Sequence, residues 1–107
     1  MPGSVYKIVF SETAEKKFAD SLDYILYNYC DIFAIHRMID DYEETLERLS
    51  YLAGSLGLSN NPKLAKNGYG IIHFKHYKYY MVYRVNDKTV EVIGIYHTLE
   101  DADLGLL

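Results

Sequence analysis

The stretch His73–Val85 reads HFKHYKYYMVYRV, and it runs through Asn86 and Asp87 into Thr89–His97, TVEVIGIYH. Thirteen residues hold five aromatic rings, two histidines, two lysines and an arginine. Such a run is either a reactive basic surface or a sheet strand whose tyrosines pack against helices. Its punctuation favours strands. Asn86 and Asp87 both tolerate positive φ and suit a two-residue hairpin loop, flanked by β-branched and aromatic residues. With Val85 opposite Lys88, strand alternation places Tyr79, Met81, Tyr83 and Val85 beside Val90, Val92, Gly94 and Tyr96 on one face. Tyr80, Val82 and Arg84 then lie beside Glu91, Ile93, Ile95 and His97 on the other.

Upstream, the pattern changes twice. Val5–Phe10, VYKIVF, reads as a strand closed by Ser11, which N-caps a helix with Glu12 and Glu15 in its first turn. Ala14, Phe18, Leu22, Ile25, Leu26 and Tyr29 recur at helical spacing, and this helix should end between Asn28 and Asp31. After Asp31 a second helix presents Ile35, Met38, Ile39, Tyr42, Leu46, Leu49 and Leu52 on one face, with Asp40, Asp41, Glu43, Glu44 and Glu47 outward. The two helices should pack antiparallel. A turn-rich connection from Gly54 to Gly70 carries Lys63 and Lys66. Strands are predicted at Ile71–Lys75, Tyr77–Val85 and Thr89–His97. Thr98 and Asp101 form a capping-box pattern that predicts a short C-terminal helix.

Composition sets the limits. A chain of 107 residues, half hydrophobic and 24% charged, suits a single domain over residues 1–107. No apolar run reaches bilayer length and no secretory leader is visible, which places the chain in the cytoplasm with no membrane partner. Cys30, the single cysteine, is expected to be a buried, inert thiol. The net charge of −4 argues against a broad nucleic-acid surface. Yet the charge is uneven. Met1–Pro62 carries ten acids against five Lys/Arg, whereas Lys63–His97 carries six Lys/Arg against two acids and three of the four histidines. Any anionic ligand belongs to that second part.

The order strand, helix, helix, three strands and short helix, with YYMVYRV…DKTVEVIGIYH joining the last strands, resembles the RelE/ParE superfamily of toxins from bacterial type II toxin-antitoxin, or plasmid-stabilisation, systems. YKIVFSETAEKKFADSLDYI is similar to the family's opening strand and helix, and NPKLAKNGYGIIHF to its loop into the second strand. The resemblance implies an α+β fold: two antiparallel helices on one face of a largely antiparallel four-stranded sheet. It also implies a growth-arresting toxin neutralised by a cognate antitoxin. RelE-like members cut mRNA on the ribosome as endoribonucleases; ParE-like members poison DNA gyrase. A decayed member would only bind its antitoxin. Fold alone does not choose among these.

Cleavage of RNA needs a proton acceptor at the 2′-hydroxyl, a donor to the leaving oxygen and cations around the phosphate. By resemblance, His73 and Tyr80 occupy positions where RelE-like enzymes carry basic residues. His97, preceded by Tyr96, stands where some relatives place a catalytic histidine. Leu99 falls where an arginine is usual. In the register above, His97 and Tyr80 share a face and His73 joins them, so these three are the catalytic candidates. Each also has a plain structural reading as a packed or strand-end residue. Arg84, Lys63, Lys66 and Tyr96 are candidates for contact with target or antitoxin, although Arg84 also suits a diagonal ion pair with Glu91. His73, His76 and His97 lack a carboxylate or cysteine partner at useful spacing, so no metal and no cofactor is expected. The thinned basic set and the acidic whole tilt the reading towards a ParE-like, non-nucleolytic toxin.

Overall fold

In the computed structural model, which describes residues 5–99, the elements follow in the order β1 (Lys7–Phe10), α1 (Glu12–Tyr29), α2 (Ile32–Leu56), α3 (Pro62–Lys66), β2 (Tyr69–His73), β3 (Tyr79–Asn86) and β4 (Thr89–His97). The predicted β-α-α-β-β-β order is therefore correct, and α3 is an addition within what reads in sequence as a loop. Asn61 accepts from the Lys63 N–H at 2.9 Å and Pro62 supplies a preset φ, which together nucleate that short helix. The C-terminal helix expected from Thr98 lies outside the described residues. No helix among the described residues is long and apolar enough to cross a membrane.

The sheet order is β1-β4-β3-β2, with β1 parallel to β4 and the other neighbours antiparallel. Between the helices and the sheet, Met38 and Leu49 of α2 meet Met81, Tyr83, Val90, Val92 and Ile95. Each is almost wholly buried, which stabilises the fold by about 1.5–3 kcal/mol for each large apolar side chain. Phe18 of α1 stacks on Tyr42 of α2 at 3.8 Å between centroids. A smaller cluster of Leu64, Tyr80, Val82 and Tyr96 occupies the opposite sheet face, where α3 lies.

The hairpin register differs from the sequence expectation in two ways. The turn is Asp87–Lys88, with Asp87 at φ 58°, so Asn86 faces Thr89 and Arg84 faces Glu91 directly rather than diagonally. A register shift between Val82 and Tyr83 then pairs Tyr83 with Val92 but Val82 with Gly94, leaving Ile93 as a bulge. One extra residue reverses the alternation. Beyond it, Ile95 joins the helix-facing core while Gly94 and Tyr96 turn to the opposite face, the reverse of the predicted assignment. The cause is Ser11. Its N–H donates to the Val92 carbonyl at 3.0 Å and its Oγ to the Ile93 carbonyl at 2.6 Å, at the point where β1 ends beside Val92. The same Oγ accepts from the Ala14 N–H at 3.0 Å and so N-caps α1.

Both helices keep most of their predicted faces, with Phe18 and Leu22 of α1 and Ile35, Tyr42 and Leu46 of α2 packed against the core, and depart from them at particular residues. On α2 the buried stripe is Ala34, Met38, Asp41, Thr45, Leu49 and Ala53, whereas Leu52 is exposed. Asp41, predicted to face outward, is 2% exposed. Its carboxylate accepts three backbone N–H bonds, from Lys75 (3.2 Å), His76 (3.0 Å) and Tyr77 (2.8 Å). Those bonds replace the water lost on burial. On α1 the apolar stripe reaches the core only as far as Ile25; Leu26 and Tyr29 are exposed. The helical hairpin turns at Cys30–Asp31, where Tyr29 and Asp31 line a cleft with Lys78, Tyr79 and His97. Cys30 there is exposed, not buried, because it occupies the left-handed C-cap of α1 at φ 49°, outside the packed layer.

Candidate functional site

The sheet face opposite the long helices carries three of the expected residues in a row. His73, exposed at the end of β2, pairs across the strand with Tyr80, and Tyr80 pairs with Tyr96 on β4. Their rings lie 5.6 Å and 5.8 Å apart between centroids. Tyr80 is 8% and Tyr96 3% exposed, so both are packing residues whose rings wall the small core under Leu64. The Lys17 ammonium stands 4.9 Å from the Tyr96 ring centroid, a cation–π contact that reaches round the short edge left by β1. Gly94 makes room for that ring: a Cβ added there would come within 2.5 Å of Tyr96.

His97 is not part of this row. The Ile93 bulge turns it to the helix side, where its ring meets Tyr79 edge-on at 5.1 Å and 85°. Its Nδ1 accepts from the Leu99 N–H at 3.1 Å, which leaves Nε2 as the ring nitrogen available to other partners. The predicted grouping of His97 with Tyr80 and His73 is thus corrected: His73 and Tyr80 are adjacent, and His97 faces away from both. Arg84 forms an ion pair with Glu91 at 2.8 Å, both side chains being partly solvent-exposed. Lys63 and Lys66 project into solvent from α3. No group of three or more metal-ligating side chains occurs among the described residues.

The segment between β2 and β3 is held by residues that sequence periodicity does not single out. Asp41 grips its backbone, and the Arg48 guanidinium donates from Nη2 to the His73 carbonyl at 2.8 Å and from Nε to Glu44 at 2.8 Å. Thr45, wholly buried, accepts from Arg48 at 3.2 Å and donates to the Asp41 carbonyl at 2.7 Å. Together these side chains hold the His73 carbonyl and the backbone of Lys75, His76 and Tyr77 in place. The available sequence signal was the spacing Ala34, Met38, Asp41, Thr45, Leu49, a helical stripe interrupted by two polar residues.

A family model for the ParE toxin of the type II toxin-antitoxin system, parDE, matches residues 8–102. The chain belongs to the ParE toxin family. No curated protein sequence matches it. Among solved structures, a chain titled "Chromosomal ParDE TA system from P. aeruginosa" aligns with a TM-score of 0.71 and 15% identity, covering 89% of this chain and 98% of that one. At that identity the likeness establishes the fold. This ParE-family chain keeps the strand, helical hairpin and three-strand order, with the α1 cap and the β4 bulge joined through Ser11.

Proposed function

We propose that this chain is the toxin of a parDE-type pair, that it arrests growth by acting on DNA gyrase without cutting RNA, and that a cognate antitoxin silences it. The observation that carries the non-nucleolytic part is the separation of His97 from His73 and Tyr80 by the Ile93 bulge. General acid and base must reach one scissile phosphate together. Tyr80 has little exposed surface to offer a substrate. The family match supports the antitoxin partner. Arg84, partly exposed beside Glu91, is the basic strand residue best placed to contact a protein target.

Expression of the chain alone tests this reading. Growth should stop with DNA-damage signalling and intact messages, and co-expression of the neighbouring antitoxin frame should restore growth. Arrest accompanied by messages cut at codon boundaries, and lost in His97→Ala, would replace this reading with the ribosomal one. Continued growth at full expression would identify a chain that has lost its toxicity.

A further inference from the structure

At the far end of α2 from the helical hairpin turn lies a separate cleft of about 220 Å³, lined by Ala53, Gly57, Leu58, Gly70, Tyr83 and Val85 among others. Among its described lining residues there is no Asp, Glu, Lys, Arg or His. The one ionisable group in the wall is the Tyr83 phenol. Burial pushes it above the ordinary phenol range, so it stands as a neutral O–H.

Tyr83 is 2% exposed, and its buried hydroxyl has no hydrogen-bond partner among the described residues. Buried hydroxyls are nearly always paired, because a group taken from water without a partner loses its hydration and gains nothing in return. The glycines show where a partner would stand. A Cβ added at Gly70 would lie 2.8 Å from the Tyr83 Oη and 3.0 Å from the Gly57 carbonyl oxygen. A phenolic donor and a backbone acceptor thus flank one point, which the bare Cα of Gly70 leaves clear of a side chain. Gly57 and Gly68, at φ 76° and 81°, adopt the left-handed region that favours glycine, and an added Cβ at either would meet nothing within 4 Å. The two ends of the connection that carries α3 therefore have room to adjust around an occupant.

We propose that this cleft binds a small neutral ring compound bearing a carboxamide, whose C=O accepts from the Tyr83 O–H and whose N–H donates to the Gly57 carbonyl. An ion is disfavoured, since it would shed its water against a wall with no counter-charge. A purely apolar occupant would leave the Tyr83 hydroxyl unpaired, whereas an amide meets the donor and the acceptor together. Ala53, Leu58 and Val85 supply the apolar side for the ring. An apolar cavity of roughly 150 Å³ holds one benzene ring, so the volume here admits one ring with a small polar group. The inference goes beyond the toxin reading and does not depend on which target the toxin engages.

Amide NMR of the full, nitrogen-15-labelled chain tests it with three probes of similar size: benzamide, benzoate and toluene. Benzamide should shift the backbone amides of Gly57, Gly68 and Gly70 in a saturable way, with a Kd of about 1 mM or tighter, the range open to so small a ligand. Tyr83→Phe keeps the ring and removes only the oxygen, and should raise that Kd about five-fold. Gly70→Ala places a methyl beside the Tyr83 hydroxyl and should abolish binding. If that variant does not fold, Tyr83→Phe carries the test, with its amide spectrum showing that the fold is kept. Lys88→Ala, on the β-hairpin turn, should leave the affinity unchanged. Benzoate or toluene binding as tightly as benzamide overturns the proposal. So does a benzamide affinity that Tyr83→Phe leaves unchanged, a set of shifts centred away from these glycines, or no shift up to about 10 mM.

Discussion

At the scale of single residues, Asp41 is the side chain on which most local order depends. It is a buried charge made tolerable by three backbone donors. Asp41→Ala would leave those donors without their acceptor, at a cost of about 3 kcal/mol or more. Urea unfolding should show the loss, and hydrogen exchange should show the Lys75–Tyr77 amides exchanging faster than those of β3. Tyrosine offers a second residue-level check. Burial pushes the hydroxyls of Tyr83 and Tyr42 above the ordinary phenol range, with Glu15 and Glu43 adding to the effect at Tyr42. The neutral form is the one the fold favours, so the unfolded chain loses these protons first. Their contribution to stability is complete below about pH 10 and is lost as pH rises through the folded-state values. Absorbance titration should show these two lagging the exposed members of the twelve tyrosines, and Tyr83→Phe should remove one lagging step.

At the scale of elements, the Ser11 junction decides which way the end of β4 faces. Ser11→Ala removes an N-cap acceptor for α1 and a donor to the Ile93 carbonyl together, and should cost about 1–2 kcal/mol in thermal or urea unfolding. Gly94→Ala tests the other side of the same turn. The added Cβ would run into the Tyr96 ring, a buried overpacking expected to cost about 1–3 kcal/mol, and a conservative Tyr96→Leu background should recover part of it. Much of this architecture is legible in the sequence. Alternation in Tyr79–Val85, turn chemistry near Asp87, the Ser11 cap and the helical spacing of Ala14–Ile25 give the elements in order. The bulge is not legible, because what fixes it is a hydrogen bond from a residue 82 positions away. A period-two reading carried through Ile93 therefore keeps the right face for Val90 and Val92 and reverses it for Ile95, Tyr96 and His97. Asp41 was missed for a related reason: hydrophobic spacing does not anticipate a carboxylate used as an internal anchor.

At the scale of the whole molecule, two surfaces are set apart by the sheet. One carries His73 over the buried Tyr80–Tyr96 pair, with Lys63 and Lys66 projecting from α3. The other is the cationic and aromatic end of the helical hairpin, to which His97 belongs. The expected catalytic trio divides between them, and on that division the proposed protein-directed reading rests. Arg84→Ala separates stability from target contact. Its ion pair with Glu91 is about half exposed and should be worth less than about 1 kcal/mol, so the variant should unfold almost as the parent does while losing action on its target. The most direct measurement is a supercoiling reaction with purified gyrase, relaxed plasmid and ATP. The account predicts that the chain inhibits supercoiling and leaves cleaved plasmid after protein denaturation, and that Arg84→Ala reduces both effects. Full supercoiling in a molar excess of the chain, together with message cleavage when it is added to translating ribosomes, would contradict it.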